Sequence, residues 1–224
     1  MLDIRIILAA SIFIFIFGLV VPSYLLMRRR VMSLVRVVTS DLEKKLKPVE
    51  KKYKVLYVGG YYAKYTLGSG DKIDILLSII PRYAAIQYLI AKILRRVDKV
   101  EIFVKNVKRY VARELHVALG SDKITYMVLQ EILGDKANKL SKREVEVNGK
   151  KYIVFCEDPQ DVDSVRKLLD YGEKVNVKLY RVSAFKDKDL VEIDAGITPK
   201  SISEVVDLLT LFNKQVTRER LPES

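Results

Sequence analysis

The longest pattern along the chain is an unbroken apolar run. Between Arg5 and Arg28 stand 22 residues, Ile6 to Met27, without a charge. As one helix rising about 1.5 Å per residue the run is about 33 Å long, enough for a hydrocarbon core of about 30 Å, and it predicts a transmembrane helix. A cleaved signal peptide has a shorter apolar region behind basic residues and ends in small residues. Here the arginines follow the run, and Val20-Val21-Pro22-Ser23 is a poor cleavage site. Asp3 and Arg5 precede the run, whereas Arg28, Arg29, Arg30 and Arg36 follow it. The positive-inside rule then predicts a single-pass cell-membrane protein with residues 1–5 outside and the C-terminal domain cytoplasmic.

After the run, the periodicity becomes helical. Val31, Leu34, Val35, Val38, Leu42 and Leu46 share one face, with Arg36, Ser40, Glu43, Lys44 and Lys47 opposite. This predicts a basic amphipathic connector over 28–53, stopped near Pro48 and either docked on the domain or lying on lipid. Arg28, Arg29, Arg30, Arg36, Lys44 and Lys47 are its membrane-surface candidates, with the lipid bilayer as partner.

A first α/β unit is expected over 54–135. It has a strand from Lys54 to Val58, an apolar run Ile73–Ile80 that fits either a buried strand or the first turns of a helix and is taken as a strand to Leu77, a core helix from Ile79 to Val97 and a strand from Val100 to Val104. Helices follow over Val107–Leu119 and Asp122–Leu133. Residues 136–143 read as a linker. Over 144–218 the pattern reads ββαββα: Asn148-Gly149 joins two strands, Asp158-Pro159 opens a helix, two strands follow, and a last amphipathic helix precedes the tail at 219–224. The expected fold class is a single N-terminal transmembrane helix followed by a cytoplasmic α/β or α+β mixed domain in two subdomains.

Composition narrows the function classes. The chain has 224 residues, half of them apolar, and 40 Lys plus Arg against 28 Asp plus Glu. It is therefore a folding chain with an anionic partner to consider. The basic excess is local: residues 28–53 carry nine Lys/Arg and three Asp/Glu, and residues 121–224 carry eighteen and nineteen. One Cys and one His exclude a disulfide framework and the usual zinc sets. Scarce Gln and Asn, with abundant Lys, Glu and Ile, give a thermophile-like composition.

The candidate chemistry is sparse. Gly68-Ser69-Gly70-Asp71-Lys72 lacks the P-loop spacing and reads as a turn. Glu157, Asp158, Asp161 and Asp163 crowd a strand-to-helix junction, where capping explains them more simply than Mg²⁺; Asp194 is the outside contributor a metal site would need. Asp74, Glu101 and Lys105 resemble the acidic-acidic-lysine set of restriction-type nucleases, but Glu101 and Lys105 stand four apart rather than two. Cys156 beside Glu157 and Asp158 is a poor nucleophile. His116 falls within the expected helix and reads as structural. Tyr61 and Tyr62, among Lys51, Lys52, Lys54 and Lys64, are candidates for stacking on single-stranded nucleic acid. With no convergent catalytic set and no cofactor motif, the expected function is a membrane-anchored adaptor or scaffold holding a protein partner. A tethered nucleic-acid-binding or processing protein is the alternative, and a Mg²⁺-dependent enzyme comes third.

Overall fold

Strict alternation builds the centre of the molecule. In Lys72–Ser78 the residues Ile73, Ile75 and Leu77 are buried, and in Lys99–Lys105 so are Val100, Ile102 and Val104, while the intervening side chains point to the opposite face. The computed structural model describes residues 4–15, 18, 21–57, 59–93, 96–198 and 201–219. Within them the strands are β1 (Glu50–Tyr57), β2 (Gly60–Thr66), β3 (Lys72–Ser78), β4 (Lys99–Lys105), β5 (Arg109–Val111) and β6 (Leu115–Leu119), then β7 (Ser141–Val147), β8 (Lys150–Cys156), β9 (Lys178–Phe185), β10 (Leu190–Gly196) and β11 (Thr217–Glu219). The helices are α1 (Ile4–Phe15), α2 (Val21–Leu46), α3 (Ala85–Ile93), α4 (Lys123–Leu133), α5 (Asp161–Lys174) and α6 (Ile202–Val216).

Nine strands form one antiparallel sheet in the order β1-β2-β3-β4-β10-β9-β6-β8-β7, and β5 pairs with β11 in a separate ribbon. One face carries the main core. α2 contributes Val31, Val35, Val38 and Leu42, α5 contributes Val165, Leu168 and Leu169, and α6, which touches both, contributes Val205, Leu208 and Phe212. The opposite face carries α4, whose Leu129 and Leu133 pack on Ala118, Phe155 and Phe185 in a second cluster. The turn after β7 has Asn148 at φ 50° and Gly149 at φ 74°, the left-handed pair that a two-residue hairpin requires.

The expected membrane span is corrected. Among the described residues no helix is long and apolar enough to cross a membrane. Among the described residues the run contributes to α1, with 12 residues and about 18 Å of helix, and to α2, which carries Arg28, Arg29, Arg30 and Arg36 along its length. α1 is short, and α2 is amphipathic rather than apolar, with Val31, Val35, Val38 and Leu42 packed in the core and its arginines exposed. The single-pass anchor, the signal-anchor reading, the outside N-terminus and the cytoplasmic placement derived from it fall together.

Of the two expected classes, α/β and α+β, the α/β form is corrected as well. The molecule is mostly an antiparallel sheet with helices packed on it, and the sheet does not divide near residue 140, because β10 and β9 lie between β4 and β6. The helix expected over 107–119 is two strands. β6 is buried on both faces, under the main core on one side and α4 on the other, so its run lacks the alternation that marks a half-exposed strand. His116 accordingly sits in a strand. The helix expected from Ile79 to Val97 is the shorter and peripheral α3, with Leu89, Ile90 and Ile93 exposed. The chain ahead of it is pinned as a loop by Asp98, which accepts from the Ile80 N–H at 2.9 Å and from Arg82 at 2.6 Å.

Candidate functional site

A cleft of about 900 Å³ opens at one end of the sheet. Its walls come from four places: the exit of β3 (Ile79, Ile80, Pro81), α3 and the segment after it (Ile90, Ala91, Arg96, Val97), the first turn of α4 with Ser121 before it, and the strand ends at Lys99, Leu119, Lys178 and Tyr180. Tyr180 owes its position to an irregularity. Opposite β10 the pairing steps from Arg181 to Leu179 between Asp194 and Ala195, so Tyr180 is the extra residue of a β-bulge. Gly196 makes room beside it: a Cβ there would lie 3.3 Å from Val97 Cγ2 and 3.4 Å from Tyr180 Cε2.

The cleft is basic. Lys99 Nζ stands 3.9 Å from the Tyr180 ring centroid and Lys178 Nζ 4.8 Å from the same centroid, so two ammonium groups share one aromatic ring. Lys99 also lies 3.4 Å from Asp194. Burial pushes the Asp194 carboxyl up to about 6, with Lys99 opposing the shift and Glu101, directly across the β4–β10 pair, adding to it. Arg96, Lys123 and Lys178 have no carboxylate within ion-pair distance among the described residues. The acid in the lining, Asp122, is engaged: it caps α4 by accepting from the Thr125 N–H at 3.3 Å and the Thr125 hydroxyl at 2.9 Å.

Beside the cleft, α4 and its neighbours cover a polar row on β6, β9 and β10. Arg181 is bound to Glu192, and both are buried. His116 Nε2 lies 3.1 Å from Glu114, whose other oxygen accepts the Lys186 N–H at 2.7 Å. Ser183 and His116 are register partners on adjacent strands, but both are completely buried, and Ser183 Oγ and His116 Nδ1 have no hydrogen-bond partner. A serine and a histidine closed off from solvent and not bonded to one another do not form a nucleophile-and-base pair.

The residues singled out from sequence are dispersed. Asp161 is buried against Arg113 on α5, Glu157 pairs with Lys186 at 3.3 Å, Asp158 accepts from the Gln160 N–H at 2.9 Å in the turn before α5, and Asp163 is exposed. Asp194 lies on the polar face of the sheet, away from the α5 side. Among the described residues no three His, Cys, Asp or Glu side chains group closely enough to hold a metal ion. Asp74 and Glu101 do come to neighbouring strands on one face, yet Asp74 stands 3.9 Å from Lys64 and half the width of the sheet separates it from the acidic junction. Asp71 of the glycine turn accepts from Ser69 Oγ at 2.7 Å and from the Val107 N–H at 2.8 Å. Burial raises the Cys156 thiol above its ordinary value, and Asp161 and Asp158 add to the shift.

The pleat of β2 separates the two tyrosines. Tyr61 shares its face with Tyr65 and stacks on Tyr53 at 5.6 Å beneath α2, where Tyr53 is bound to Glu43. Tyr62 lies on the opposite face beside Lys54, its partner in register, with Asp74 and Lys64 near its hydroxyl. Arg28, Arg29, Arg30 and Arg36 are exposed along α2, Lys44 pairs with Asp41 at 3.6 Å, and Lys47 ends the helix at φ 47°. Ahead of them Ile4, Leu8, Phe13 and Ile14 of α1 and Leu25 and Leu26 of α2 are all exposed. Sequence reasoning missed the cleft. Lys99, Lys123, Lys178 and Tyr180 are scattered along the chain, and nothing local marks the bulge that gathers them.

The chain matches no protein-family model and no curated protein.

Proposed function

We propose that this chain is a non-catalytic adaptor that grips a protein partner with its N-terminal arm, α1 and the first two turns of α2. The observation that carries the reading is the change of environment along α2. Val31, Val35, Val38 and Leu42 are locked in the core, while Leu25 and Leu26 in the same helix, and Ile4, Leu8, Phe13 and Ile14 before it, are exposed. Large apolar side chains exposed in this number on a folded chain mark an interaction site. A helix rooted in the core at one end and apolar at the other is a stiff handle, and exposed Arg28, Arg29 and Arg30 at its base favour a partner whose apolar groove is rimmed by carboxylates. The nucleic-acid reading has less support, because the tyrosines divide between two faces and leave Tyr62 without a second ring beside it on the Lys54 side.

A photo-cross-linking residue at Leu8, in the full chain in its native cells, tests the adaptor. The expected result is one discrete protein adduct, lost in Phe13→Glu/Ile14→Glu and absent when the probe replaces Lys174 on α5. Adducts with lipid alone, or only with a second copy of the chain, would overturn the reading.

A further inference from the structure

We infer that the cleft between α3 and the start of α4 binds a small organic anion, a phosphate or carboxylate head joined to a compact apolar body. Volume sets the first limit. At about 900 Å³ the space suits a ligand of organic size and far exceeds an isolated inorganic ion. The lining sets the chemistry. Arg96 and Lys99 at the entry to β4, Lys178 at the start of β9 and Lys123 at the start of α4 supply positive charge from three segments, and all but Lys99 have no carboxylate within ion-pair distance among the described residues. Like charges held round one hollow repel each other, and an anionic head that enters relieves that repulsion.

The rest of the wall is apolar. Ile79, Ile90, Ala91, Leu119 and Ile124 face the same space, and Ile90 and Ile124 remain exposed across the opening. A bare phosphate would leave Ile90 and Ile124 against water, whereas an attached hydrocarbon covers them. The N-terminus of α4 adds little, because Asp122 already occupies the Thr125 N–H and places a carboxylate at that spot. The head is therefore held on the Lys99–Tyr180–Lys178 side, with the body toward α3. Tyr180 serves as a platform that keeps the two ammonium groups in place between ligands, a role that explains why a bulge and a glycine are spent on bringing its ring there.

The test uses the full chain and three probes below any micelle concentration: octyl phosphate, inorganic phosphate and neutral octyl glucoside. Calorimetry should show saturable binding of one octyl phosphate, with inorganic phosphate and octyl glucoside each at least about tenfold weaker. Lys178→Gln and Arg96→Gln should each weaken octyl phosphate by about fivefold or more, and Lys167→Gln, exposed on α5 at the other face of the sheet, should leave it unchanged. Phe13→Glu/Ile14→Glu must also leave it unchanged, which separates the cleft from the apolar arm and lets the adaptor reading fail or stand on its own. Equal binding of inorganic and octyl phosphate, or binding insensitive to both cleft variants, would overturn the inference, as would loss of binding in the arm variant.

Discussion

The two faces of the sheet are built on different principles. Under α2, α5 and α6 the face is aliphatic and continuous, with Ile75, Ile102 and Phe212 completely buried. On the α4 side, the same strands turn Glu101, Arg181, Ser183, Glu192 and Asp194 outward, and α4 covers only part of them. The contrast teaches that one face supplies cohesion by burial while the other carries charge whose placement must be exact to be tolerated. It also explains why the cleft opens at the edge of the polar face, where incomplete cover leaves charged strand ends reachable by a ligand.

The largest effect is expected where the aliphatic face is cut. Phe212→Ala should cost about 3–5 kcal/mol in urea unfolding, against about 1 kcal/mol for Phe103→Ala on the half-exposed polar face. Equal costs would show that the two faces do not differ as described. Next comes the buried pair: Arg181→Met strands Glu192 without its cation and should destabilise by about 3–5 kcal/mol, whereas Arg181→Met/Glu192→Leu should recover most of the loss. A double variant as unstable as the single one would mean that the pair contributes cohesion beyond tolerated charge.

Asp194 gives the polar face a pH signature. Its folded carboxyl, raised to about 6 from an ordinary 3.8, favours the protonated form, so its contribution to stability is full below about pH 4 and is lost as pH rises through about 6. The difference in stability between wild type and Asp194→Asn should therefore change between pH 4 and pH 6, by on the order of 2 kcal/mol, with the variant gaining on wild type as pH rises. A difference that stays flat across that window would show that Lys99 compensates the buried charge. The smallest effect belongs to the outer rim of the covered face, where Lys45 meets Asp207 at 2.9 Å between α2 and α6. Both partners are well exposed, and a double-mutant cycle should return less than about 1 kcal/mol, weakening with salt.

Much of the local structure was legible from residues a few positions apart. The strand β4, the Asn148-Gly149 turn, the stripe from Val31 to Leu42 that packs on the core, and α4 ending at Gly134 all follow from steric and burial preferences of short segments, whereas the apolar run Ile73–Ile80 left strand and helix both open. The apolar run at the N-terminus and the fully buried β6 were misread because hydrophobicity without periodicity does not by itself mark a membrane span, or tell a helix from a strand covered on both sides. Sequence by itself also determined that the chain has a large apolar core and too few Cys and His for disulfides or a zinc set. Only the tertiary structure decided which strands are neighbours. The order β4-β10-β9-β6 is what brings Lys99, Asp194, Arg181 and His116 onto one face and gathers Lys99, Lys178 and Tyr180 at one cleft. Those adjacencies arise from pairing between distant segments, chosen by the burial of whole faces at once, and no short window of sequence carries that choice.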